Sequence, residues 1–175
     1  NFAILCYPPH EELALRRGIK TLSEELKAEG WAVHSIALHR LLIERLERME
    51  AGRLPALIAR EKRLAQRDPE GALEHLTEVL ATQIEGPEGL AADIARSLEA
   101  FRATRRPDQP AVVFLGRAGA LYPFFRTSAL LRHLDGRTAD LPVVLLYPGK
   151  RRALSALSFM GELDPDRDYR PRIYP

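Results

Sequence analysis

The sequence predicts an α/β fold: a mostly parallel sheet of about five strands, Rossmann-like and three-layered, with a helical insertion between the second and third strands. Three observations carry this. Residues 2–7, 111–115 and 141–147 are short apolar runs, with the unbroken hydrophobicity of strands buried on both faces. Between them stand stretches with an apolar residue every three or four positions, the period of an amphipathic helix. The resulting order, strand, helix, strand, long helical stretch, strand, helix, strand, is the alternation that builds a parallel sheet with helices against both faces.

The first apolar run ends at Pro8-Pro9, and from His10 the period changes. Leu15, Ile19, Leu22 and Leu26 recur at spacings of four, three and four among charged residues, and Gly30 follows as a stop. Residues 31–38 read as the second strand, with Trp31, Val33 and Ile36 supplying β preference. Leu38, Leu41, Leu42, Leu46 and Met49 then trace a helical stripe, continued after Gly52 by Leu54, Leu57, Ile58 and Leu64. Asp68-Pro69 is a helix start, an acidic N-cap followed by proline at the first helical position. Leu73, Leu76, Leu80 and Ile84 are the face that helix should bury. After Gly86-Pro87, Leu90, Ile94, Leu98 and Phe101 mark one more helix. Residues 38–105 thus form a helical insertion within a single domain spanning residues 1–175.

Residues 107–110 turn into the third strand, and Gly116 and Gly119 bracket the turn out of it. Phe125, Leu130, Leu131 and Leu134 belong to the helix that follows. The fourth strand, residues 141–147, is expected to end at Pro148-Gly149. Residues 169–174 read as a fifth strand, which Pro171 confines to an edge.

Composition narrows the function classes. The chain is 175 residues long, 46% hydrophobic and 29% charged, ordinary usage for a soluble domain. Its apolar runs fall far short of the roughly 18 residues of a spanning helix. Lys+Arg 26 against Asp+Glu 24 leaves +2, too near neutral for the electrostatics of non-specific nucleic-acid binding. The lone cysteine, Cys6, excludes an internal disulfide and a cysteine zinc cage. It reads as a buried thiol in a reducing, cytoplasmic compartment. His10, His34, His39, His75 and His133 show no metal-ligand spacing. Asp164, Asp166 and Asp168 imitate half a calcium loop without its glycine or closing glutamate. Neither a metal nor a cofactor is expected. The chain opens on Asn1, already inside an apolar run, and is expected to lack the start of the natural protein.

In open parallel sheets ligands collect at the carboxyl ends of the strands. Gly116-Arg117-Ala118-Gly119 offers backbone amides and a guanidinium to an anion. It lacks the lysine and hydroxyl of a phosphate loop and the third glycine of the dinucleotide fingerprint, so tight-turn glycines are the alternative. Tyr147-Pro148-Gly149 leads into Lys150, Arg151 and Arg152, cations at a strand end where a phosphate or an acidic partner could dock. A solvated basic loop is the plainer reading. Arg126, seven residues after Gly119, approaches the same crevice only if its helix starts late. His10 stands where a general base could, with no serine or acid fixed beside it. There is no Gly-x-Ser-x-Gly elbow and no paired carboxylate set. The candidate anion- or partner-docking residues are therefore Arg117, Gly119, Arg126, Tyr147, Gly149, Lys150 and Arg151, with no catalytic residue expected. Tyr122, Phe124 and Phe125, beside arginines, suit either the core or a protein interface.

Gly119, Pro123, Arg126, the pair Leu130-Leu131, the strand end Tyr147-Pro148-Gly149, the stretch Leu157-Ser158-Phe159-Met160-Gly161 and the closing Tyr169-Arg170 together resemble the BrxB family, the small α/β component of BREX bacteriophage-exclusion systems. The opening Ala3-Ile4-Leu5-Cys6-Tyr7-Pro8-Pro9 and the helix arginines Arg16 and Arg17 fit as well. Met160 departs from the family's usual Phe-Gly, and Tyr169 stands where the family has a paired tyrosine. The resemblance covers nearly the whole chain and is weakest across residues 54–104. It implies a non-catalytic adaptor that joins larger BREX components, such as a PglZ-like phosphatase-like protein, a PglX-like methyltransferase and a BrxC-like ATPase, in which the chemistry would reside. The residues themselves leave two alternatives. One is a phosphate- or nucleotide-binding α/β domain using the strand-end crevice. The other is a nucleic-acid binder using Arg105-Arg106 and Lys150-Arg151-Arg152.

Overall fold

The computed structural model describes residues 2–125, 127–153, 156–160 and 172–174. Six strands, β1 Phe2–Tyr7, β2 Ala32–Ala37, β3 Ala111–Gly116, β4 Val143–Ala153, β5 Ala156–Phe159 and β6 Arg172–Tyr174, are accompanied by six α-helices. These are α1 Glu12–Ala28, α2 Leu38–Glu47, α3 Arg53–Ala65, α4 Pro69–Ile84, α5 Leu90–Thr104 and α6 Thr127–Leu134. The main sheet runs in the order β2-β3-β4-β1-β6, and every neighbouring pair in it is parallel. The expected five-strand parallel α/β sheet is therefore present. β5 is added antiparallel to the far end of β4.

The connections explain the layers. From β1 the chain travels outward past β4 and β3 to the edge strand β2, then steps back through β3 to β4. Parallel crossovers are right-handed, so outward and returning connections lie on opposite faces. Strand alternation supplies a core for each face. On one, Leu15 and Ile19 of α1 pack against Tyr7, Phe114 and Leu146. On the other, Ile4, Ile36, Val113, Leu115, Val143 and Leu145 meet Leu38 and Leu42 of α2, Leu80 and Ile84 of α4, Leu90, Ile94 and Leu98 of α5, and Leu130 and Leu134 of α6. Each such side chain, fully buried, contributes about 1.5–3 kcal/mol by leaving water. This second cluster is the larger, and it draws the helices of residues 38–105 onto the sheet.

Local signals act as read. Asp68 caps α4, its Oδ1 accepting from the Gly71 amide at 3.0 Å. Gly30, past the end of α1, adopts a φ of +90°. Leu73, expected on the buried face of α4, is 47% exposed. The buried ridge is Ala72, Leu76, Leu80 and Ile84, four residues apart, and Leu73 lies one residue, about 100° around the helix, off that line. Phe125, expected within a helix, precedes α6 and is fully buried. Cys6 is half-buried rather than buried.

The fourth strand does not end at Pro148-Gly149. It continues to Ala153 and folds back as β5. Pro148 is the last residue of β4 paired with β1, opposite Tyr7, where its missing amide interrupts the ladder least. Beyond that point the strand takes β5 as its partner, with Gly149 opposite Phe159 and Lys150 opposite Ser158. Arg172–Tyr174 form the expected edge strand, beside β1. The remainder of the expected fifth strand, and Asp164, Asp166 and Asp168, lie outside the described residues.

Candidate functional site

Two structures occupy the carboxyl ends of the parallel strands. The first is the β4–β5 hairpin. Tyr147 is 1% exposed and meets Phe159 edge-on, with ring centroids 5.4 Å apart, while Phe125 approaches the same ring at 6.0 Å. The Met160 amide donates to the Pro148 carbonyl at 2.8 Å. Gly119 lies against this hairpin: a Cβ there would stand 3.2 Å from Pro148 Cγ and 3.3 Å from Met160 Sδ. A Cβ at Gly149 would stand 2.6 Å from Tyr147 Cε1 and collide with the Ser158 carbonyl oxygen. Gly119, Tyr147 and Gly149 are thus brought together as packing partners. Their side of the strand-end crevice is filled by the chain itself. Tyr122 and Phe124 also pack, half-buried, against the core.

The second structure surrounds Arg117. This residue holds a left-handed φ of +66°, and its Nη1 donates to Glu12 Oε1 at 3.0 Å. The other oxygen of Glu12 accepts from the Tyr7 hydroxyl. Burial, then the hydrogen bond and charge of Glu12, push the Tyr7 phenol well above its ordinary range, against the opposing pull of Arg117, so the phenol stays protonated as a donor. His39, two residues past β2, is held below its ordinary value of 6.5, first by burial and then by Arg117, Arg40 and Arg16, with Glu12 opposing. Its imidazole is therefore uncharged at neutral pH.

The remaining candidates fall elsewhere. Lys150 is exposed, on the hairpin. Arg151 pairs through its backbone with Leu157. Arg126 lies outside the described residues. Arg105 donates to the carbonyls of Arg106, Pro107 and Gln109, binding its own loop together. His10 is exposed, 3.8 Å from Glu11. Glu12 and Arg40 escaped the sequence reading, and Tyr7, His39 and Arg16, although named in it, were not joined to Arg117. The signal for His39 and Arg40 was available, because the strand-end rule applies to the second strand as well as to the first, third and fourth. Asp93 was also missed. It is buried on α5, with its Oδ2 2.9 Å from Arg45 Nη1 and with Arg96 and Arg48 beside its other oxygen. Among the described residues no three His, Cys, Asp or Glu side chains are grouped to hold a metal, and no helix is long and apolar enough to cross a membrane.

Comparison with known proteins agrees with the resemblance carried by the motifs. The family model described as BREX protein BrxB matches residues 34–173. A curated BREX protein BrxB of Bacillus cereus (strain H3081.97) is 26% identical over 171 residues, spanning 97% of this chain and 81% of that protein. No solved structure matches. The matched region runs from within β2 through β4, with the Gly119 turn and the Tyr147-Pro148-Gly149 hairpin, and on that extent the chain belongs to the BrxB family of BREX proteins.

Proposed function

We propose that this chain is a non-catalytic adaptor of a BREX-type phage-defence complex, docking a larger partner such as a PglZ-like protein. Its family makes it a BREX component. The observation that carries the adaptor reading is the packing of Gly119 on Pro148 and Met160, with Tyr147 against Phe159. The place where open parallel sheets hold their ligands is here spent largely on the chain's own hairpin. The helices supply surface for a partner. α3 packs chiefly on α4 and carries Arg53, Arg60, Lys62 and Arg63 against Glu61 alone. Ile58 on α3 and Leu73 on α4 are large exposed apolar residues. Ile58 stands among the cations of α3, which suits an acidic protein surface, whereas Leu73 lies between Glu70 and Glu74 of α4.

An adaptor's removal separates partners without removing their chemistry. Deleting this gene from a phage-restricting strain is expected to abolish restriction while the PglZ-like, methyltransferase and ATPase components remain at their normal levels, and those components should no longer copurify with one another. Undiminished restriction in the deletion strain would refute the proposal.

A further inference from the structure

Four basic side chains from three separate segments converge at the carboxyl ends of β1, β2 and β3, beside the crevice that the hairpin fills. Register produces this. Ala37 pairs with Gly116, so His39 and Arg40 leave the sheet alongside Arg117, and α2 packs against the 3-10 turn Ala118–Leu121 that follows Arg117. Arg117 is bonded to Glu12, and Arg16 lies four residues further along α1, on the same side of that helix as Glu12. The charges of Arg117, Arg40, Arg16 and Glu12 all act on the His39 imidazole, so all four lie within electrostatic reach of it.

The cluster is not balanced. Three guanidinium groups face one carboxylate, and that carboxylate is already committed to Arg117 and Tyr7. Arg16 and Arg40 are exposed, so the cluster opens to solvent. His39 Nδ1 is buried and has no hydrogen-bond partner among the described residues. Buried polar atoms in folded proteins are nearly always paired. Ala37, at the N-cap of α2, has no side-chain oxygen to satisfy the first-turn amides.

We infer that this cluster is an oxyanion site that takes a phosphate group, with Arg16, Arg40 and Arg117 supplying the charge and His39 Nδ1 one hydrogen bond. The excess of two positive charges matches a phosphate dianion, and planar guanidinium donors suit its several oxygens. Glu12 is a positioning residue that holds Arg117 in place. The site goes beyond the adaptor reading and does not depend on it. The phosphate is either free or the terminal group of a nucleoside monophosphate.

The test is a titration of the full chain with inorganic phosphate at constant ionic strength, following the His39 imidazole resonances and the unfolding midpoint together. A saturable His39 shift and a rise in midpoint are expected. The phosphate concentration that half-saturates both should rise at least tenfold in Arg40→Gln and in Arg16→Gln, and should stay unchanged in Arg17→Gln, which alters the same helix outside the cluster. If one variant fails to fold, the other decides. Adenosine monophosphate separates the two sources: tighter binding than inorganic phosphate identifies a nucleotide, equal binding the phosphate alone, and either result supports the site. An unmoved His39 resonance, or a phosphate effect as large in Arg40→Gln as in the parent, overturns it.

Discussion

Arg117 donates to Glu12 across 3.0 Å, although the two stand 105 positions apart in the sequence. The bond ties the end of β3 to the first turn of α1, and Arg117 makes it from a left-handed backbone, φ +66°. Glycine takes that conformation freely, whereas other residues lose roughly 1 kcal/mol.

Arg117→Gly and Arg117→Ala both delete the guanidinium but differ in backbone cost. The glycine variant is expected to be the more stable by about 1 kcal/mol, a difference of about 2–4 °C in Tm for a chain of this size. Urea unfolding of the two side by side measures it. Equal midpoints would show that the left-handed backbone carries no cost at this position.

Gly149 and Gly119 should respond very differently to a methyl group. At Gly149 the added Cβ meets the Ser158 backbone, which cannot move without parting β4 from β5. Gly149→Ala is therefore expected to cost about 3 kcal/mol or more. At Gly119 the neighbours are a proline ring at 3.2 Å and the Met160 thioether at 3.3 Å, and the thioether can yield. Gly119→Ala should cost about 1 kcal/mol. Denaturant midpoints that rank the two the other way would contradict the packing of the hairpin.

Asp93 holds α5 against α2. Its carboxylate is 2% exposed and Arg45 is 20% exposed, so removing the acid strands a largely buried cation. Asp93→Ala is expected to cost about 3–5 kcal/mol, and replacing both partners with apolar residues, Asp93→Leu with Arg45→Met, should recover most of that loss. Arg48 and Arg96 are exposed enough to turn to water. A double variant no more stable than Asp93→Ala would contradict this account of the pair.

Such pairings explain what was legible in the sequence and what was not. β1, β3 and the start of β4 announce themselves because a strand buried on both faces is apolar at every position, and the α4 start because Asp68 caps from within its own turn. Signals of that kind are local. β5 left none: Pro148-Gly149 carries the composition of a turn, and only the meeting of Gly149 with Phe159 makes it a strand. Gly119, Tyr147 and Gly149 stood out as a motif, but that they pack on one another is tertiary information. Asp93 looks like any polar helix position until α2 brings Arg45 to it, and Glu12 gives no sign of Arg117.

His34 makes stability depend on pH. It stacks on Phe101 with centroids 4.9 Å apart, and its Nε2 lies 3.0 Å from Ser97 Oγ. Burial lowers its pKa from 6.5. As pH falls through 6.5 the unfolded chain takes up a proton that the folded chain refuses, so the stability His34 contributes is full above that pH and declines below it. His39 acts with the same sign. The unfolding midpoint is expected to fall between pH 7.5 and 5.5, and less steeply in His34→Gln. An unchanged slope in that variant would remove His34 from the explanation.

The adaptor reading is tested most directly by mixing the purified chain with a purified PglZ-like protein from the same BREX system and measuring mass by light scattering as the mixture leaves a sizing column. One peak is expected, its mass the sum of the two chains in a fixed ratio. Two peaks at the masses of the separate proteins, at concentrations well above those in the cell, would contradict it.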